Sequence, residues 1–480
     1  MINHRFPELA DSGGRKTYAA LFLALMLGFL GYWLLNQYVF PLFDPIFIWA
    51  REISAAAGGL TLVAIALVAA WRPSLFKGLP VISGIQSIVL AGALLMVCGF
   101  YFDSIALLLA GAWLSTVASG LVSVVTGISC TKMGLRGTGI CVAAAYLVAY
   151  ALRWAFIALP PGVGLCVYIV APVIALALVT PHARSLLAYI FAAEAPAQAA
   201  VTRPASFIPF SNQVFVCLVL FRFVYGYMLT FGEIGRVPLL AGFTVVPLVA
   251  LLLVMVLEKG ALNPDRLFPA AVLCIVAGFL ALSADGRNSS LIVNTLLSSG
   301  VGLFEVLLLS LFVILSSKNR ANALVIFSWV YALNSLATLV GANFGRFTNR
   351  YYEVDSVVTS FLGAAVVLVF VAYILIVLKD FSFKRTVEGV ENIEPAAAAS
   401  APDSARQIEG GCEALGSRFD LTAREREVFY LLARGRNSKV IQEELHISYN
   451  TAKAHVRHIY TKLGVHTQQE LIDLVEHPGA

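Results

Sequence analysis

"AALFLALMLGFLGYWLL", residues 19–35, carries no charged side chain and is preceded by Arg15-Lys16. With its flanks it forms an apolar window over 17–40. About 20 such residues, rising 1.5 Å each, cross a hydrocarbon core of roughly 30 Å. The run is too long for a signal-peptide core, and no small-residue cleavage signature precedes Asn36-Gln37-Tyr38. The stretch therefore reads as an uncleaved first membrane span.

The rest of the chain repeats this pattern. Of 480 residues, 59% are hydrophobic and 13% charged, with a net charge of +5. Soluble domains carry roughly 25% charged residues. Further apolar windows fall at 46–70, 79–99, 104–127, 137–159 and 162–180, then at 212–235, 238–257, 267–285, 290–315, 321–345 and 355–378. The polar break at 181–211 splits the set six and six. The cysteines (98, 130, 141, 166, 217, 274 and 412) form no CxxC pair, so neither a disulfide framework nor a metal site is expected.

Loop charge gives the orientation. One set of loops holds sixteen Lys or Arg: Arg5, Arg15, Lys16, Arg72, Lys77, Lys132, Arg136, Arg184, Arg203, Lys259, Arg266, Lys318, Arg320, Lys379, Lys384 and Arg385. The alternating set holds four, namely Arg236, Arg287, Arg346 and Arg350. This bias places both termini in the cytoplasm, which requires an even number of spans and so agrees with the count of twelve.

Six plus six spans around a longer middle loop resembles the major facilitator superfamily, whose halves are related by a pseudo-twofold axis. Gly31-Tyr32 and Gly226-Tyr227, at like depths in spans 1 and 7, fit such a repeat. The resemblance implies a cytoplasmic N-terminus over 1–16 and a membrane domain over 17–380. Its halves would be 17–180 and 212–378, joined by a cytoplasmic loop over 181–211. The loop between spans 2 and 3 reads "WRPSLFKGLP" (71–80) and lacks the acidic, glycine-rich motif of that superfamily. Transport and sensing both stay open.

Charges inside spans are costly and face a cavity or a partner. Arg153, Arg222, Glu233 and Glu305 lie within spans, and Arg51-Glu52 open span 2; Asn294, Asn334 and Asn343 add polar groups. Arg222, Glu305, Arg153 and Asn334 are the candidate contacts for a small-molecule ligand. The alternatives are a structural Arg222–Glu305 pair, and snorkelling to an interface for Arg51, Glu52, Arg153 and Glu233.

Residues 386–417 are rich in Ala, Pro, Gly, Ser and Glu, which reads as a flexible tether. Its mean reach is roughly 30 Å. Residues 418–480 carry nine Lys/Arg and eight Asp/Glu, an ordinary soluble composition. Here Thr422 and Glu425 form a capping box that opens a helix, and Gly435 ends it. A second helix runs from about Ser438 to Leu445. Ser448 caps a third, ended by Gly464, and Thr467 with Glu470 opens a fourth. In the third, Ala452, Val456, Ile459 and Leu463 share a core face while Lys453, Arg457 and Thr461 project away. No acidic residue lies between Leu445 and Glu470, so positive charge gathers on this helix, as expected for one that faces DNA.

This segment resembles the LuxR-type (GerE- or NarL/FixJ-type) helix-turn-helix over about sixty residues. Leu421-Thr422, Arg424-Glu425, Asn437-Ser438-Lys439, Ile447-Ser448, Lys453 and Lys462-Leu463-Gly464-Val465 are in register. The resemblance implies that Lys453, Ala454 and Arg457 address base edges, and that Thr451, Ser448 and Lys439 lie near phosphates. It also implies pairing of two copies on double-stranded DNA. Val440, Ala452, His458 and Gln468 depart from the family pattern, and Gln468 stands where a phosphate-facing Arg is frequent. His455 reads as a packing residue.

The expected fold class is all-α: a twelve-helix, major-facilitator-like bundle plus a four-helix LuxR-type domain. The expected function is a bacterial inner-membrane transcription regulator whose bundle senses a small molecule or a membrane condition. A transporter with a fused regulatory domain is the alternative, as is release of the DNA-binding domain by cleavage in the tether. No nucleophile–base pair, phosphate loop or metal cluster suggests an enzyme, and no cofactor is expected. Reporter fusions check the orientation. Green fluorescent protein fused after residue 133 or 385 is expected to fluoresce, and alkaline phosphatase to be active only after residues such as 103 or 287.

Overall fold

The computed structural model describes residues 14–42, 49–71, 73–76, 80–192, 213–233, 242–257, 264–282, 289–318, 320–352, 356–376, 412–433, 441–442, 445, 448–465 and 468–476. Among these every regular element is helical. The chain forms two compact units, Met1–Ile393 and Glu394–Ala480.

The described helices of the first unit are α1 (Arg15–Leu34), α2 (Ala50–Trp71), α3 (Val81–Tyr101), α4 (Ile105–Cys130), α5 (Leu135–Phe156) and α6 (Pro161–Ala192), followed by α7 (Gln213–Glu233), α8 (Val245–Leu257), α9 (Pro264–Leu282), α10 (Ser289–Lys318), α11 (Ala323–Tyr352) and α12 (Ser356–Ile376). Each matches one apolar window. Nine are long and apolar enough to cross a membrane among the described residues, and the other three windows hold shorter apolar helices. Leu94, Leu273, Leu280 and Leu368 are each more than 60% exposed on the outside of the bundle. An apolar exterior on helices of this length is the surface that faces lipid. This is a multi-pass membrane protein.

Neighbour relations repeat between the halves. α3 pairs with α4 as α9 pairs with α10, and α1 pairs with α5 as α7 pairs with α11. Two contacts across the halves, α2–α11 and α5–α8, exchange under the same operation. The bundle thus has the internal pseudo-symmetry suggested by the six-plus-six pattern. Pro172 and Pro181 lie inside α6 without ending it. That helix continues to Ala192, into the region read as the middle loop. Arg346 and Arg350, read as loop cations, lie within α11.

Small residues set the closest approaches, as in other membrane helix pairs. Between α7 and α11, a Cβ on Gly226 would strike the Thr338 carbonyl, one on Gly341 the Phe223 carbonyl, and one on Gly345 the Thr230 hydroxyl. Between α3 and α4, Gly92 and Gly111 admit Ser115 and Met96 in the same way.

The second unit has its own core of Leu421, Val428, Phe429, Ile441, Ala452, Ile459 and Leu471. It begins earlier than composition suggests. Residues 412–418 are helical, and Cys412 and Leu415 are buried in that core rather than in a tether ending at 417. Their three-residue spacing puts both on one helical face. Two apolar side chains among Ala, Gly and Glu gave too little periodicity to mark them.

Gly341→Leu is expected to force α7 and α11 apart, at a cost of about 1–3 kcal/mol. A lowered melting temperature and loss of the monodisperse peak in detergent would register this, and Gly363→Leu, which meets only the Tyr227 hydroxyl at 3.5 Å, serves as the control.

Candidate functional site

The third helix of the second unit spans Tyr449–Leu463 and is fixed at both ends. At its start the Ser448 hydroxyl oxygen accepts the Thr451 amide at 3.1 Å and lies 2.8 Å from the Thr451 hydroxyl. At its end Gly464 takes φ 68°, the left-handed cap that glycine adopts without strain. Ala452, Ile459 and Leu463 are buried, with Val456 half-buried beside them. Lys453, Ala454, Arg457 and Thr461 are exposed on the opposite side. His455 is half-buried and His458 exposed. Lys439 and most of the second helix lie outside the described residues, as does the Thr467 cap.

The helix is held against its neighbours by a polar cluster that the sequence only half disclosed. Glu425 accepts the Thr422 amide at 2.9 Å, while the Thr422 hydroxyl lies 3.3 Å from the Glu425 amide, a reciprocal capping box. The same carboxylate accepts Lys462 Nζ at 2.7 Å, and Lys462 also donates to the Asp420 carbonyl at 2.9 Å. Lys462 therefore ties the end of the DNA-facing helix to the start of the first. Its ammonium is turned to this joint rather than left free beside Lys453 and Arg457. Gln468, read as a lost phosphate contact, donates to the Leu432 carbonyl at 3.0 Å and so braces the core side. Arg424 bonds Glu427 and donates to the Leu445 carbonyl at 2.8 Å.

The Lys462 ammonium, with the Thr422 amide and hydroxyl, holds the Glu425 carboxyl at about 2, below its ordinary 4.5. A depressed folded-state value stabilises the fold fully above the ordinary value and loses that contribution as pH falls toward 2. Urea melts of residues 394–480 are expected to lose stability between pH 4.5 and pH 2. Lys462→Met should flatten this dependence and cost about 1–3 kcal/mol at pH 7.

A second site lies within the membrane unit. A cavity of about 290 Å³ is walled by helices of both halves. Arg222 on α7 and Glu305 on α10 form an ion pair there, with side chains 11% and 19% exposed. Arg153, in the last turn of α5, lies over the Tyr150 ring at 5.0 Å and lines the same space. Asn334 on α11 and Asn294 on α10 face it too. The four candidate ligand residues Arg222, Glu305, Arg153 and Asn334 are thus brought to one cavity by four helices.

Two expectations are corrected there. Arg51 and Glu52, for which snorkelling was the alternative, line the cavity, and Glu52 is 7% exposed. Glu52 on α2 pairs with Arg346 on α11, which joins the halves. The sequence signal for this was two opposite charges at the same predicted end of spans 2 and 11. Asn343 turns away, its amide donating to the Leu339 carbonyl of its own helix. The Glu233 side chain lies outside the described residues. The tyrosines of the wall, Tyr146, Tyr225 and Tyr331 among them, were not singled out, and Tyr32 was noted only as part of a repeat.

Several buried polar atoms at the cavity have no hydrogen-bond partner: Arg222 Nε, Arg153 Nε, Asn294 Nδ2 and Asn334 Oδ1. Such groups are expensive in an apolar surrounding. Among the described residues no group of three metal-ligating side chains occurs.

The two sites define a multi-pass membrane protein that carries a helix-turn-helix domain. Residues 420–475 match the family model "Bacterial regulatory proteins, luxR family". Over 53 residues the chain is 43% identical to the oxygen regulatory protein NreC of Staphylococcus aureus strain JH9, and equally to that of strain USA300. The match covers 11% of this chain and 24% of each relative, so the chain spans about a quarter of the length of the curated relatives it matches. The C-terminal domain is accordingly a LuxR-type helix-turn-helix, a domain of DNA-binding transcription regulators. Among solved structures, the chain is similar to the E. coli fucose:proton symporter FucP at 14% identity, over 73% of this chain and 97% of that one, with a TM-score of 0.48. A bacterial homologue of the iron transporter ferroportin gives 12% identity, 74% and 99% coverage, and a TM-score of 0.48. The nucleoside transporter NupG gives 13%, 74%, 98% and 0.43.

Proposed function

We propose that this protein is a one-component regulator in which the membrane bundle binds a small molecule and thereby controls DNA binding by the C-terminal domain. The observation that carries this reading is the coexistence, in one chain, of a DNA-facing helix and a polar cavity built from both halves of a bundle. A ligand that prefers one arrangement of the halves shifts the population toward it, and only such a difference in affinity can do so. The Glu52–Arg346 pair joins the halves and is the element through which that preference would be felt.

On this reading both termini lie on the cytoplasmic side of the inner membrane, as the loop charges require, and residues up to about 411 tether the DNA-binding unit. Lys453, Ala454 and Arg457 face base edges, with Thr451, Ser448 and Lys439 toward phosphates. Two copies pair on adjacent half-sites, since a single module makes few contacts. Transport with a fused regulatory domain is the second reading, favoured by the charged cavity between pseudo-symmetric halves.

DNA-binding isotherms on the full chain in nanodiscs and on residues 394–480 test the proposal, with an operator chosen from random duplexes. A compound that raises the melting temperature of the full chain should shift its operator affinity severalfold and leave the 394–480 unit unchanged. An equal response of both would remove the coupling. Arg457→Ala should weaken operator binding in both by about tenfold, the worth of one base contact. Accumulation of the same compound in sealed vesicles would move the assignment to the second reading.

A further inference from the structure

The charge and shape of the cavity restrict what it can hold. Four arginines line it, Arg51, Arg153, Arg222 and Arg346, against two glutamates, Glu52 and Glu305. Both glutamates are engaged, Glu305 with Arg222 and Glu52 with Arg346. Arg153 has no carboxylate partner among the described residues, and its buried Nε has no acceptor. Its guanidinium lies over the Tyr150 ring. A cation–π contact uses none of the guanidinium N–H groups, whose planar fork suits a carboxylate. An arginine in a span normally has a partner, because an uncompensated charge there is costly. Arg222 Nε, also buried and without an acceptor, adds a second donor in the same space.

The walls supply the rest. Tyr32, Tyr146, Tyr150, Tyr225 and Tyr331 line it with aromatic surface, and Asn294 Nδ2 and Asn334 Oδ1 offer one donor and one acceptor without partners. A volume of about 290 Å³ is at the small end for ligand pockets, which run to about 300–1,000 Å³. A cationic ligand would meet this arginine excess.

We propose that the cavity takes a small aromatic carboxylate, a monoanion held by Arg153 with its ring among the tyrosines. This rests on the reading of the cavity as a ligand site. The test uses matched probes on the full chain in detergent and nanodiscs: benzoate, 3-phenylpropionate and indole-3-acetate, each beside its amide and its amine. At least one carboxylate is expected to raise the melting temperature and saturate in calorimetry, while its amide and amine do not. Arg153→Gln should weaken that carboxylate about 10- to 100-fold, and Arg153→Lys should recover part of the loss. Should the variants not fold, the comparison of carboxylate, amide and amine on the unaltered chain decides alone. Binding of no carboxylate, or equal binding of an amide or amine, overturns the proposal. Operator affinity separates the two readings. A carboxylate that binds selectively without changing DNA affinity supports the anion site and removes the sensor. A neutral or cationic compound that changes DNA affinity through the bundle supports the sensor and removes the anion site.

Discussion

Hydrocarbon offers no hydrogen-bond partner to a backbone or a charge, and this constraint organises the membrane unit. It makes every described element there a helix. It also turns Arg51, Glu52, Arg153, Arg222, Glu305 and Arg346 toward the interior, so these charges collect where helices leave space between them. Arg222, Glu305, Arg153, Glu52 and Arg346 come from five different helices and line one cavity. The cavity is therefore a direct result of excluding charge from lipid. Close helix packing elsewhere, at the glycine contacts of α7 with α11 and α3 with α4, gives that cavity walls that cannot collapse easily.

The DNA-binding unit obeys the opposite solvent rule and spends its polar groups differently. Its exposed face is left to Lys453, Arg457 and their neighbours, and its internal charges are consumed at the joints between helices. Glu425 serves the capping box and Lys462 at once, so a single carboxylate fixes the relation of the first helix to the third. Positioning of the exposed cations relative to the rest of the domain depends on that joint.

Much of this was legible in the sequence because the signals were local. Each apolar window became a helix, and Ser448, Thr422 and Gly464 fixed their helix ends as side-chain chemistry dictates. Arg222, Glu305, Arg153 and Asn334 were legible because a polar group in an apolar window must be accommodated somewhere. What escaped was pairing over distance. Glu52 and Arg346 looked like independent charges near an interface, since nothing local links α2 to α11. Lys462 counted only as one more cation of the third helix, since a count of charges does not say which side of a helix an ammonium leans toward. The helix over 412–418 escaped because two apolar residues make too short a pattern to tell from a tether.

The Glu52–Arg346 pair carries a consequence for biogenesis. Its partners are 294 residues apart, so α2 is made long before α11 exists. During that interval Arg346 does not yet exist, so Glu52 lacks the partner it has in the finished bundle. The first half is thus an unfinished object until the second half is threaded.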